Sequence, residues 1–98
     1  MTIEIKRTKE ELIMEITGRL DTTTAPALNK SIQENLGDTK SLVLDLKNLE
    51  YISSAGLRVL LAAQKKMQQV GKMKVINVCE LVMDVFEMTG FADILTIE

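Results

Sequence analysis

The sequence predicts an α/β fold: a single small domain with a mixed, mostly parallel sheet, an antiparallel N-terminal hairpin and packed helices. Three observations predict it. Short apolar runs with strand character alternate with segments whose apolar residues recur at helical spacing. The run Leu42 to Leu46 is apolar at four of its five positions, as strands covered on both faces usually are. Single glycines, Gly37, Gly71 and Gly90, stand where each helical pattern stops, the place where a helix ends most easily. A chain of 98 residues has room for one core and no second lobe, so residues 1–98 are expected to be one domain.

Each element follows in order. Residues 2–7 alternate, with Ile3 and Ile5 on one face, and residues 12–16 alternate again through Leu12, Met14 and Ile16. The charged link Lys9-Glu10-Glu11 between them reads as a hairpin connection. Gly18-Arg19-Leu20-Asp21 is expected to break the second strand. Thr22 to Thr24 offer N-caps, and Pro26 fits the first turn of a helix. That helix carries Leu28, Ile32 and Leu36 at four-residue spacing and stops at Gly37. The apolar strand Leu42 to Leu46 comes next. From Ser54 to Val70 the pattern is helical, with Gly56, Val59, Leu60, Ala63, Met67 and Val70 forming one stripe toward the core. Leu57 and Leu61 flank that stripe, either widening the core face or forming a contact strip for a partner. Met73 to Val78 makes a further strand. Leu81, Val82, Val85 and Phe86 mark a third helix closed by Thr89-Gly90. Ile94 to Ile97 suits a last strand or a terminal helix, and periodicity does not separate the two. The order is ββαβαβα, with strands joined by right-handed crossovers.

Composition narrows the function. The net charge is −2, with no basic stripe to suit nucleic acid and no acidic tract to suit disorder. No apolar stretch approaches the roughly 18 residues of a membrane span, and the alternating N-terminus has no signal-peptide core. One cysteine, Cys79, makes no internal disulfide, which suits a reducing, cytoplasmic setting. With no histidine there is no Ser-His or Cys-His couple and no histidine metal ligand. The carboxylates form no pair suited to acid–base work. No catalytic residue, metal site or cofactor site is expected, and the chain reads as a non-enzyme. Cys79 reads as a small buried residue, the six methionines as core filler, and Lys65-Lys66 as a solvated helix face.

The most informative stretch is Leu49-Glu50-Tyr51-Ile52-Ser53-Ser54-Ala55-Gly56-Leu57, where a buried strand hands over to a helix. Helix N-termini leave N–H groups unpaired and carry partial positive charge. A serine there either caps the helix or carries a phosphate that the helix start stabilises. Asp21 has two readings as well, as a cap on the first helix or as a partner contact.

Three segments together resemble the STAS domains, and among them the small stand-alone anti-sigma factor antagonists of bacteria. These are Gly18-Arg19-Leu20-Asp21-Thr22-Thr23-Thr24-Ala25, Leu44-Asp45-Leu46 with Tyr51-Ile52-Ser53-Ser54-Ala55-Gly56-Leu57, and Val85-Phe86-Glu87-Met88-Thr89-Gly90-Phe91-Ala92-Asp93-Ile94. The best-known antagonists carry Asp-Ser-[Ser/Thr]-Gly in the second segment, with phosphate on the serine after the Asp. Residue by residue, Ser53 takes the Asp position, Ser54 the phosphoserine position and Ala55 the second hydroxyl position, while Gly56 matches the glycine. The missing Asp removes a carboxylate that would orient the serine, and it makes Ser53 a competing acceptor.

The resemblance implies a phosphorylation-controlled partner switch acting on transcription. The unphosphorylated domain binds a serine kinase that doubles as an anti-sigma factor and so releases the sigma factor, and a serine phosphatase acts on phospho-Ser54. Partner binding is expected through Arg19, Asp21, Ser53, Gly56, Leu57 and Arg58, with no nucleic acid and no membrane involved. The alternative is a STAS accessory subunit of a lipid-transport ATPase complex that needs no phosphorylation.

Overall fold

The computed structural model describes residues 1–98. Strands β1 (Thr2–Arg7), β2 (Glu11–Leu20), β3 (Ser41–Ile52) and β4 (Lys72–Ile76) alternate with helices α1 (Ala25–Leu36), α2 (Ser54–Val70) and α3 (Glu80–Thr89). The sheet order is β1-β2-β3-β4, with β1 antiparallel to β2 and the other pairs parallel. The α/β class and the N-terminal hairpin are as the sequence predicts. The last element is neither of the two forms considered. Phe91–Asp93 makes a single 3-10 turn, after which Ile97 forms one parallel bridge with Val75.

Alternation in the strands decides where the core lies. Leu12, Met14, Ile16, Leu42, Leu44, Leu46, Met73 and Val75 face one side and are buried. The buried residues of all three helices join the same cluster, among them Leu28, Ile32, Leu60, Met67, Val82 and Phe86. Val43 and Asp45 face the other way and are buried as well, so the middle of β3 is covered on both faces. Asp45 Oδ1 accepts from Lys47 N–H and from the Asn77 amide, each at 3.1 Å.

Both central strands run further than their apolar runs. β2 continues through Gly18, whose φ of +103° lies in the region open mainly to glycine, so the strand bends there and does not stop. β3 continues from Leu46 to Ile52 because it bulges twice against β2. The pairing moves from Glu15–Asp45 to Thr17–Asn48, then from Gly18–Leu49 to Arg19–Tyr51. Each step gives β3 one residue more than β2, and the surplus Lys47 and Glu50 are both exposed. These two polar residues end the visible apolar run while the backbone pairing goes on.

Two helix assignments also change. Val70 ends the α2 stripe but is 44% exposed, because the last turn projects beyond the core. Leu57 is buried and Leu61 half-buried, so Leu57 belongs to the core face. In α3, Leu81 is exposed and only Val82 and Phe86 are buried.

Candidate functional site: the corner between β2 and β3

Parallel strands β2 and β3 end level, with Leu20 beside Ile52. The Ser53 N–H extends the ladder by donating to the Leu20 carbonyl at 2.9 Å. The two loops that follow therefore lie side by side at the C-terminal edge of the sheet, where open α/β sheets place their sites. The edge brings together Arg19, Asp21, Ser53 and Ser54.

Asp21 organises its own loop. Its Oδ1 accepts from the N–H groups of Thr23 at 2.9 Å and Thr24 at 3.2 Å, and from the Thr23 hydroxyl at 2.7 Å. The Thr23 hydroxyl and these amides hold the carboxyl below the usual carboxylate range. The Thr24 hydroxyl accepts from the Asp21 N–H at 2.9 Å and donates to the Arg19 carbonyl at 2.8 Å. The three threonines were candidate caps, yet Thr24, at the N-cap position, makes no side-chain cap. The Asp21 side chain bonds the Thr23 and Thr24 amides, which precede the helix. Its second oxygen, Oδ2, lies 4.0 Å from Arg19 Nε, a loose and exposed pair that leaves it open to solvent.

Arg19 lies over the Tyr51 ring, with its guanidinium carbon 4.2 Å from the ring centroid. This cation–π contact orients a long side chain that would otherwise be free. Nothing local in the sequence marks Tyr51 as a site residue. Its signal is the register that sets it beside Arg19, and the two bulges hide that register.

The two serines separate sharply. Ser53 is the N-cap residue of α2 in extended conformation, but its side chain makes no cap bond. Its Oγ is buried and has no hydrogen-bond partner. Ser54, the first residue of α2, is exposed. The first intrahelical bond runs from Leu57 N–H to the Ser53 carbonyl at 2.9 Å, so the amides of the opening turn have no partner within the helix. Arg58 is exposed one turn on from Ser54, on the same helix face.

Gly56 and Leu57 turn inward. A Cβ on Gly56 would sit 2.7 Å from Leu20 Cγ and 2.9 Å from Ile52 Cγ1. The glycine thus lets α2 lie directly on the ends of β2 and β3. Leu57 is 6% exposed and offers a partner almost no surface. Cys79 is half-buried, and its thiol lies 3.4 Å from the Leu49 carbonyl. The one sizeable cavity, about 770 Å³, opens at the opposite end of the sheet beside Arg7, Lys40, Gly71 and Lys72. No comparable cavity opens at the serine corner.

Comparison with known proteins bears on the family and fold of the whole chain. The family model described as STAS domain matches residues 2–98. The anti-sigma-B factor antagonist of Bacillus subtilis is 28% identical over 98 residues, spanning 99% of this chain and 90% of that protein. The crystal structure of an anti-sigma factor antagonist from Mycobacterium paratuberculosis superposes with a TM-score of 0.89 at 25% identity, covering 98% of this chain and 83% of that one. The unphosphorylated form of the anti-sigma factor antagonist SpoIIAA superposes with a TM-score of 0.83 at 17% identity, covering 99% and 88% respectively, a likeness of fold.

Proposed function

The chain belongs to the STAS domain family, and from that membership we propose that it is an anti-sigma factor antagonist switched by phosphate on Ser54. Unphosphorylated, it binds a serine kinase that doubles as an anti-sigma factor, and the sigma factor is released. Phosphorylated, it lets that partner go until a serine phosphatase restores it. The chain is substrate and ligand in this cycle and not a catalyst. It acts in the cytoplasm without nucleic acid or membrane.

The carrying observation is the separation of the two hydroxyls. Ser53 Oγ is buried and out of reach of a kinase, while Ser54 is exposed at the start of α2. This difference in burial supports Ser54 over Ser53 as the acceptor. Phosphorylation replaces a neutral hydroxyl with roughly −1.5 to −2 charges. The unpartnered amides and dipole of α2 accommodate that charge with no change of fold. An acidic or apolar partner surface does not accommodate it, and a tenfold loss of affinity needs only about 1.4 kcal/mol. Arg19, Asp21 and Arg58 frame the contact with exposed polar groups. Gly56 and Leu57 contribute to it indirectly, by holding α2 down on Leu20 and Ile52.

Incubating the chain with its cognate serine kinase and ATP, then mapping phosphate by mass spectrometry, tests the assignment. A single phosphate on Ser54 is expected, lost in Ser54→Ala and retained in Ser53→Ala. Ser54→Asp should weaken kinase binding only in part, since one carboxylate has less charge and fewer acceptor oxygens than a phosphate. Phosphate on Ser53 would overturn the site. No phosphate after full turnover of a proven cognate kinase would put the accessory-subunit reading first.

A further inference from the structure

Helix α3 is apolar on two sides. Val82 and Phe86 fill the core. On the outer surface Met88 is 86% exposed and Leu81 57% exposed, the highest values among the chain's large apolar residues. Half-buried Val85 lies between them. Positions 81, 85 and 88 fall on one stripe of a helix. A second stripe runs beside it, one residue earlier at each step, formed by exposed Glu80, Asp84 and Glu87. The helix contains no lysine or arginine, and none of these three carboxylates takes part in an ion pair. An apolar ridge edged by uncompensated negative charge is an incomplete surface.

We propose that this face of α3 docks a basic amphipathic helix of a partner protein. The occupant presents apolar residues at the same spacing to Leu81, Val85 and Met88, and lysines or arginines to Glu80, Asp84 and Glu87. Charge selects among the possible occupants. A second copy of this helix would set three carboxylates against three, and an anionic lipid surface would be repelled in the same way. The site goes beyond the serine corner. α3 starts at the same edge of the sheet but runs away from it, with Met88 in its last turn, so docking here does not depend on the state of Ser54.

The test uses a synthetic helical peptide about five turns long, with leucines spaced to match the ridge and lysines along one flank. A matched control carries glutamates in place of the lysines. Titrated into the isotope-labelled chain, the lysine peptide should shift amide signals over residues 80–89, weaken with added salt and bind the Ser54→Ala variant equally well. Leu81→Gln combined with Met88→Gln should weaken it by about tenfold, the loss expected for two large apolar contacts. Asp84→Lys combined with Glu87→Lys should do the same. All four side chains are exposed or flank the exposed ridge, so the fold is expected to persist, and the unchanged signals of β2 and β3 verify it. Equal binding of the glutamate peptide, shifts confined to other surfaces, Met88-dependent self-association in sedimentation, or binding to phosphatidylglycerol vesicles would each overturn the proposal.

Discussion

Gly56→Ala adds one methyl group where α2 meets the ends of two strands, and its effect follows from two opposed contributions. In a helix interior alanine is favoured over glycine by about 0.8–1.0 kcal/mol. Against that, the new Cβ would lie 2.7 Å from Leu20 Cγ, 2.9 Å from Ile52 Cγ1 and 3.0 Å from Leu20 Cδ2, all too short for carbon–carbon contact. Leu20 and Ile52 are 0% and 3% exposed, so neither can swing into solvent. Overpacking of this kind costs about 1–3 kcal/mol. The net expectation is a loss of about 1 kcal/mol. Urea unfolding followed by circular dichroism reads it as a midpoint lowered by about 0.3–1 M. Ala62→Gly at an exposed position of the same helix calibrates the propensity contribution alone. Leu20 and Ile52 directly precede Asp21 and Ser53, so the displacement should also move the amide signals of both loops. If Gly56→Ala raises stability by as much as Ala62→Gly lowers it, with the loop signals unmoved, the close packing inferred at this corner is wrong.

Three further outcomes are expected. Gly71→Ala should be more damaging, because its Cβ would stand 1.9 Å from the Lys40 carbonyl oxygen, and backbone yields less than side chains. A loss of about 3 kcal/mol, at the top of the overpacking range, corresponds to a Tm lower by about 12 °C or more in a thermal melt. Ser53→Ala removes a buried hydroxyl that bonds nothing. It should therefore leave stability unchanged or raise it by up to about 1 kcal/mol, opposite to the loss expected for a serine that caps; a clear loss in urea would refute this. For Asp21, the folded-state pKa lies below the unfolded one, so its stabilisation is complete above the unfolded value and drains away as pH falls through the folded value. Asp21→Asn should accordingly flatten the acid limb of a stability-versus-pH curve and change its slope little at neutral pH.

Much of the fold was legible because periodicity reports burial directly. Leu28, Ile32 and Leu36 are all buried in α1, and the alternation of Leu12, Met14 and Ile16 marks the inner face of β2. What could not be read depends on partners distant in sequence. The second half of β3 pairs with β2 through two bulges, and no local pattern announces a bulge whose surplus residue is polar. Val70 has the right phase for the core but lies beyond the end of it. At the serine corner, position at the strand–helix junction and resemblance both single out Ser53 and Ser54, yet which hydroxyl faces inward is settled only by how α2 leaves β3. Asp21 was open to two readings. Its hydrogen bonds to the Thr23 and Thr24 amides close the loop just before α1 and do not cap the helix, while Oδ2, only loosely paired with Arg19, keeps the carboxylate available at the surface.

The paired bulges of β3 also govern which insertions and deletions the chain tolerates. In each bulge two residues of β3 stand opposite one of β2, so the strand gains a residue while Leu49 and Ile52 stay on the inner face with Leu46. Lys47 and Glu50 have no partner of their own on β2, so deleting either would remove one bulge and leave Ile52 beside Leu20 and the serines at the same corner. Length variation at this corner is therefore tolerated one residue at a time, at the surplus positions.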